Sequence, residues 1–185
     1  MNDHLFFDLK QLGHCGRNVR IGRTVRIRYP ELVFLHDNTI IDDFVYISTG
    51  LELNSHSAIE AGCVLMGGVN QKITVGSYSC ICSNSTLMCG THDFKTGLHI
   101  IDHNTEVEQG LIYGDITMGD HVILGTKSTI LPGVTVQTGA RIGAHSLVNK
   151  DLNAWNLYAG TPCRHLGEVD QKQVLKYLED FKTNY

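Results

Sequence analysis

The chain has 185 residues, enough for one domain with a substantial core. Its formal net charge of −4 gives no electrostatic reason to expect nucleic acid or an anionic membrane surface as a partner. No apolar run approaches the ~18 residues of a membrane-spanning helix, and no secretory signal pattern opens the chain, so we expect a cytoplasmic protein without a membrane span.

The pattern divides the chain into three parts. Residues 1–14 are predicted to be an N-terminal arm, within which 3–12 could form a short amphipathic helix. Residues 15–166 carry a repeat, interrupted by a loop at 93–115. Residues 167–185 have apolar positions at helical spacing and are predicted to form a C-terminal helix or tail. Both ends could cap the repeat or contact another copy of the chain.

In the repeat region an aliphatic residue returns every six positions. The series is preceded by a shorter run and is delayed once by a four-residue insertion after Leu65. Its members are Leu35, Ile41, Ile47, Leu53, Ile59, Leu65, Val75, Ile81, Leu87, Met118, Leu124, Ile130, Val136, Ile142 and Val148. Four positions beyond each one stands a residue that is mostly small or β-branched, such as Ser57, Ser79 or Val69.

A period of six fits neither a helix nor a long alternating strand. It is typical of short strands joined by tight turns, in which three strands close one triangular coil. The pattern therefore predicts an all-β fold, a left-handed parallel β-helix of about six coils, with the aliphatic side chains inside and the small residues at the corners. Glycine, which often follows the aliphatic directly, and asparagine would tolerate a positive φ in the turns.

The repeat stops at the stretch "GTHDF", which contains His92. Thr91 occupies a corner position, so the side chain of His92 is expected to point away from the interior. A loop as long as 93–115 inside a compact domain is usually functional. A histidine at its base suits general-base chemistry, because imidazole titrates near neutral pH.

The hexads and the C-terminal stretch "VNKDLNAWNLYAGTPCRHLGEV" resemble the left-handed β-helix acyltransferases. Within that group they resemble the galactoside and maltose acetyltransferases and the sugar O-antigen or capsule acetyltransferases. The resemblance implies a homotrimer with acetyl-CoA in a cleft between neighbouring subunits, and it implies that His92 is the general base. It further implies a role in lipopolysaccharide biosynthesis and no metal in the reaction.

The resemblance also implies residues for both substrates. For the donor they are Gly125, Thr126 and Ala144 along the pantetheine arm, with Lys150, Pro162 and Arg164 near the phosphates. For the acceptor, the family's asparagine falls at Gly62 and a cleft tryptophan is replaced by Ile123. Asn70, Asn84 and Asp93 are the substrate-binding candidates that remain.

The predicted function is an acetyl-CoA-dependent acetyltransferase acting on a hydroxyl or amine of a nucleotide sugar or polysaccharide precursor. One alternative is a xenobiotic acetyltransferase, which would need an apolar pocket where the loop is instead polar and acidic. A γ-carbonic anhydrase would need three histidines around zinc, and the hexads lack the required His-x4-His pair. The third alternative is a non-catalytic scaffold.

The six cysteines do not suggest a disulfide framework. Most of them occur where the repeat requires a small buried residue, and no Cys-x-x-Cys pair is present. We expect reduced structural thiols and no metal site.

Overall fold

The structure is a computed structural model that describes residues 9–97 and 110–184. The predicted positions 1–8 of the arm and 98–109 of the loop lie outside the described residues. Two short 3-10 helices, Leu9–Gln11 and Pro30–Leu32, and one α-helix, α1 (Gln171–Asn184), accompany a series of mostly short strands. Within the described part of the chain, no helix combines the length and the apolar composition needed to cross a membrane.

The strands, in chain order, are β1 His14–Cys15, β2 Arg20–Ile21, β3 Arg26–Ile27, β4 Val33–Leu35, β5 Ile40–Ile41, β6 Tyr46–Leu53, β7 Ala58–Ile59, β8 Val64–Val75, β9 Cys80–Ile81, β10 Thr86–Met88, β11 Gly90–His92, β12 Leu111–Tyr113, β13 Ile116–Met118, β14 Ile123–Leu124, β15 Thr129–Ile130, β16 Thr135–Val136, β17 Arg141–Ile142, β18 Leu147–Val148, β19 Asn156–Ala159 and β20 Arg164–Glu168.

These strands stack into three parallel faces. Face 1 has the order β2-β5-β7-β9-β14-β17-β19. Face 2 contains β3, the first halves of β6 and β8, β10, β15 and β18. Face 3 contains β1, β4, the second halves of β6 and β8, β13 and β16. The chain visits the faces in the same sequence on each of six full coils, which confirms the predicted left-handed β-helix.

The predicted aliphatic series forms the interior. All fifteen of its members are buried, at 3% exposure or less. Their ladder partners are one another, as in Ile59 with Ile81 and Ile81 with Leu124, so that each face contributes one column of side chains to the core.

The corner residues do more than fit a narrow space. Ser57, Ser79 and Ser85 are buried, and their hydroxyls connect one coil to the next. Ser79 Oγ donates to the carbonyl of Gly119 (2.9 Å) and accepts from the amide of Val122 (2.9 Å). Small hydroxyl side chains therefore satisfy buried backbone groups where the chain turns, which explains why serine recurs there.

The positive φ expected in the turns falls three residues after the aliphatic, where both glycine and asparagine occur, as at Gly62, Gly139 and Asn84. Gly119, directly after its aliphatic, does not have a positive φ. Gly119 is required by a close approach instead. A Cβ there would lie 2.7 Å from the amide nitrogen of Thr138 in the following coil.

The four-residue insertion is absorbed in β8. Its register against β6 shifts after Ser48 and again after Thr49, so the extra residues bulge from the corner between faces 2 and 3. Val69 is consequently 54% exposed instead of occupying a buried corner. Ile73 becomes the buried residue there.

The C-terminal segment covers an edge and then a corner. β20 pairs antiparallel with β19 and so protects the last strand of face 1. The helix α1 follows and reaches the corner between faces 3 and 1, where the Phe181 ring meets the His56 ring edge-on at 5.8 Å. That corner carries a column of stacked rings, His56, Tyr78, His121 and Trp155, with centroid separations of 4.9, 5.4 and 6.1 Å in that order.

We predict that Gly119→Ala destabilises the fold by about 2 kcal/mol or more, because the added methyl collides with stacked backbone that cannot yield without breaking the coil. Gly167→Ala is the matched control, since a Cβ at position 167 would meet nothing within 4 Å. Urea denaturation followed by circular dichroism measures both. Equal midpoints for the two variants would contradict the close-approach explanation.

Candidate active site

His92 follows β10, at the point where the chain leaves the column after the fourth coil, which consists of the second half of β8, β9 and β10. β11 departs from the corner between faces 2 and 3 and pairs antiparallel with β12, which brings His92 opposite Leu111. The chain re-enters where the amide of Gly114 donates to the carbonyl of Cys89 (2.9 Å). His92 is exposed, so its imidazole stands on the outside of the column at the base of the loop. The repeat is therefore suspended because a hairpin replaces one corner.

Asp93 organises the turn that follows His92. Its carboxylate accepts a hydrogen bond from the amide of Lys95 (2.9 Å) and another from the Thr96 hydroxyl. These bonds, that of Thr96 above all, lower the pKa of Asp93. Its backbone also binds the far side of the loop, since the Asp93 amide donates to the carbonyl of Gly110 (2.7 Å). Asp93 thus has a structural role as a turn former, and its predicted contact with substrate stays a prediction.

The described ends of the loop expose apolar side chains close to His92 in the hairpin. Phe94 is 93% exposed, and Ile112 and Tyr113, opposite Thr91 and Gly90, are 48% and 42% exposed. The polar and acidic character read from the loop sequence therefore does not extend to its base. These three residues were not among the predicted site residues. The signal that could have identified them was the presence of aromatic and aliphatic residues at both ends of the interruption in the repeat.

Asn70 belongs to the same corner as His92. It is exposed in the bulge of β8, one coil earlier, and that bulge lies directly below the root of the loop. The proximity is visible at Gly67, where a Cβ would come within 2.6 Å of the Cβ of Cys89. The structure therefore brings Asn70, His92 and Asp93 to one corner, which we call the histidine corner.

The predicted donor residues lie together at a different corner, between faces 1 and 2. Gly125 and Thr126 follow β14, and Ala144 stands one coil further on, where the amide of His145 donates to the carbonyl of Thr126 (2.9 Å). Pro162 lies at the column end nearby, since the neighbouring Thr161 hydroxyl donates to the carbonyl of His145 (3.1 Å). This group of residues is the donor corner.

Asn84 is also at the donor corner, with a φ of +59°. Its side chain occupies the space above Gly62, where a Cβ would be 2.6 Å from Asn84 Oδ1. An amide from the next coil therefore stands where the family's asparagine would project. Ile123 points outward from face 1 and is 40% exposed.

Lys150 and Arg164 are separated in the fold. Arg164 opens β20 opposite Ala159, near the donor corner. Lys150 is exposed after β18, at the edge of face 2 shared with the histidine corner, where it lines a cleft of about 460 Å³ with Tyr158 and His165. Their predicted shared contact with phosphates stays a prediction.

The two corners are opposite edges of face 2. A hexad of chain separates them, roughly 20 Å at ~3.3 Å per residue. Within one protomer, His92 and the predicted donor residues therefore lie at different edges of the same face.

Side chains that could bind a metal converge in one place within the described residues. Across 9–97 and 110–184, the one group of three with ligand atoms within reach of a shared ion is Glu60, Cys80 and Cys82. A three-histidine centre is not formed within that part of one protomer. All six cysteines are free. Cys63, Cys89 and Cys163 are buried, whereas Cys80 and Cys82 are half-buried and Cys15 is exposed, so the expectation that most of the cysteines take small buried positions holds for only three of the six.

Comparison with known proteins finds sugar acyltransferases. The chain is 28% identical over 182 residues to dTDP-4-amino-4,6-dideoxy-D-glucose acyltransferase of Escherichia coli, covering 95% of this chain and 93% of that one. It is 30% identical over 147 residues to galactoside O-acetyltransferase of Escherichia coli K12, covering 80% and 69%. A mitochondrial γ carbonic anhydrase of Arabidopsis thaliana is 26% identical over 173 residues, covering 85% and 60%. No family model matches the chain.

Among solved structures, the chain is similar to AntD, an N-acyltransferase from Bacillus cereus. A variant of AntD in complex with dTDP-4-amino-4,6-dideoxyglucose and coenzyme A superposes with a TM-score of 0.87 at 28% identity, covering 94% of this chain and 93% of that chain. AntD in complex with dTDP and 3-hydroxybutyryl-CoA gives the same TM-score at 26% identity, covering 97% and 98%.

Proposed function

This chain belongs to the hexapeptide-repeat sugar acyltransferases of the left-handed β-helix fold, and we propose that it transfers an acyl group from a coenzyme A thioester to the amino group of a nucleotide-linked sugar. The acyltransferase activity and the use of acyl-CoA follow from the family. Two parts of the proposal go beyond what the family shows: that the acceptor group is an amine and not a hydroxyl, and that the acceptor is a nucleotide sugar.

The length of the similarity supports an amino-sugar acceptor. The two relatives described with dTDP-4-amino-4,6-dideoxyglucose align over more than nine-tenths of this chain and of their own, whereas the galactoside O-acetyltransferase aligns over 80% and 69%. Similarity to the proteins described with an amino sugar therefore extends over nearly the whole chain. A 3-hydroxyacyl donor is supported in the same way by the complex of AntD with 3-hydroxybutyryl-CoA.

Release of free coenzyme A thiol tests the acceptor. We expect the rate with a dTDP-linked 4-amino-4,6-dideoxyhexose to exceed the rate with dTDP-glucose by at least about 100-fold, because the neutral amine is the stronger nucleophile. Acetyl-CoA and 3-hydroxybutyryl-CoA are compared as donors, and mass spectrometry of the product identifies the acylated atom. Faster transfer to a sugar hydroxyl would overturn the amine assignment while leaving acyl transfer intact.

We propose that His92 is the general base. The acceptor nitrogen attacks the thioester carbonyl, the imidazole of His92 takes the proton that nitrogen loses, and the thiolate of coenzyme A leaves with the C–S electron pair and is then protonated. This role is supported by the exposure of His92 at the base of the loop, where an acceptor bound outside the column can reach the imidazole.

We predict that His92→Ala lowers kcat about 10²–10⁴-fold with little change in the KM for acyl-CoA, because it removes proton transfer and leaves donor binding. His14→Ala is the control: it also removes a surface imidazole, but from the first strand of the column. Steady-state kinetics with the amino-sugar acceptor measure both variants. A His92→Ala enzyme with wild-type kcat would show that another group accepts the proton.

We also propose a homotrimer in which each active site combines the histidine corner of one protomer with the donor corner of the next. The separation of the two corners across face 2 supports this arrangement, because it places the proposed base and the predicted donor residues at different edges of one chain. Asn70 and Lys150 would then approach the donor from the side of His92. Asn84, Gly125, Thr126, Ala144, Pro162 and Arg164 would approach it from the neighbouring chain.

Mixed trimers test the shared site. Ala144→Trp should block the donor corner at an exposed position, and His92→Ala disables the other half. After co-expression of the two inactive variants in equal amounts, about a quarter of the interfaces combine two intact halves, so we expect about a quarter of wild-type activity. Self-mixed controls should stay inactive. No recovery in the mixed sample would mean that both halves belong to one chain.

The substrates of the proposed reaction indicate where in the cell the protein would act. Acyl-CoA and nucleotide sugars are both made and used in the cytoplasm, so we propose that the protein acts there. An N-acylated nucleotide sugar is a precursor that a glycosyltransferase consumes, which supports a role in building a surface polysaccharide such as lipopolysaccharide.

A further inference from the structure

Two thiols and a carboxylate converge on the outside of face 1. Cys80 and Cys82 flank the buried Ile81 on β9, so their side chains project to the same outer surface. Glu60 follows Ile59, the ladder partner of Ile81, and reaches the same place from the coil below. The acyl-transfer mechanism uses none of these three residues.

The ligand atoms have the spacing of a tetrahedral metal site. Cys80 Sγ is 4.0 Å from Cys82 Sγ and 3.6 Å from Glu60 Oε1, and all three ligand atoms lie within 4.8 Å of one another. An ion bound to thiolate sulfur at ~2.3 Å and carboxylate oxygen at ~2.0 Å in tetrahedral geometry separates two sulfurs by about 3.8 Å and sulfur from oxygen by about 3.5 Å. The cluster therefore needs little rearrangement to hold an ion.

A neighbouring residue orients the carboxylate. Glu60 Oε2 accepts hydrogen bonds from the amide (2.9 Å) and the hydroxyl (2.8 Å) of Ser83. These bonds, the hydroxyl first, lower the pKa of Glu60 and leave Oε1 directed at the thiols. Outer hydrogen bonds of this kind fix the orientation of metal ligands.

Without a cation the cluster is electrostatically unfavourable once ionised. Burial raises the pKa of Cys80 and of Cys82, and the nearby Glu60 carboxylate raises both further. A bound divalent ion would remove that repulsion. The position beyond Cys82 in the next coil is Gly125, so no side chain from that position competes with the two thiols for the ion.

We propose that Glu60, Cys80 and Cys82 bind a thiophilic divalent cation such as Zn²⁺, which links the third and fourth coils beside the donor corner. The absence of a Cys-x-x-Cys pair suggested no metal site, but the β-strand supplies the pair at a spacing of two residues. None of the three proposed ligands is among the residues proposed for acyl transfer. Binding one ion displaces the protons of two thiols, so affinity should rise about 100-fold per pH unit while both thiols remain protonated in the free protein.

Cobalt binding to the reduced, untagged, full-length protein tests the site. We expect one Co²⁺ per chain, with a thiolate-to-metal charge-transfer absorption and the visible bands of tetrahedral cobalt, both lost when Zn²⁺ is added. Cys80→Ser and Cys82→Ser should each weaken binding at least tenfold and reduce the charge-transfer absorption by about half. Glu60→Gln should weaken binding but keep that absorption. Cys15→Ser, which removes an exposed thiol outside the cluster, should change neither.

Thermal unfolding with and without Zn²⁺ separates metal binding from folding. Zn²⁺ should raise the Tm of the wild type and of Cys15→Ser, and should leave the Tm of the Cys80→Ser, Cys82→Ser double variant unchanged. The same cobalt absorption in the double variant would overturn the proposal, as would no uptake at stoichiometric Co²⁺. A disulfide between Cys80 and Cys82 that persists after reduction would also overturn it. Such a disulfide would lower the mass of the protein by two hydrogens and the number of reactive thiols by two.

Discussion

Backbone pairing between successive coils is the constraint on which the rest of this structure depends. Each coil must lie one strand spacing from the next at the corners as well as along the faces. Ser79 meets that requirement with a hydroxyl that makes two hydrogen bonds to the turn of the following coil, and Gly119 meets it by carrying no side chain where Thr138 passes. Corners are therefore the positions at which the sequence has least freedom, and any corner that departs from the pattern must be compensated by structure outside the column.

The histidine corner is such a departure. Two insertions emerge there in successive coils, the bulge of β8 and the hairpin of β11 and β12, so the column is kept intact while new surface is built beside it. The rigid coil fixes the base of the hairpin, and Asp93 fixes the turn after it. The root of this loop is thus held by the most regular part of the molecule, a common division between a scaffold and the loops that it positions. The donor corner lies a full face away, and the same rigid coils fix the distance between the two corners.

The outer surface of face 1 follows a different rule from the corners. Residues on either side of a buried strand position share one outer face, so Cys80 and Cys82 are neighbours although only one residue separates them in sequence. Stacking adds Glu60 from the coil below, and the turn adds Ser83 to hold it. A β-helix can therefore assemble a set of metal ligands from residues about twenty positions apart without any special loop, provided that outward positions of successive coils carry the right side chains.

The sequence by itself determined the period of six, the buried aliphatic columns, the fold class and the break at His92, because each of these depends on which residues can enter a narrow apolar interior. It did not determine what happens outside that interior. The hairpin pairing behind His92, the bulge that exposes Val69, the placement of Asn84 over Gly62 and the convergence of Glu60 with two thiols depend on which coils lie next to each other. The turn glycines show the same limit. The sequence shows where they occur, but it does not show which of them are needed for a positive φ and which for the close approach of the neighbouring coil. Only the tertiary structure decided these features, since the partners are brought together by stacking and not by proximity along the chain.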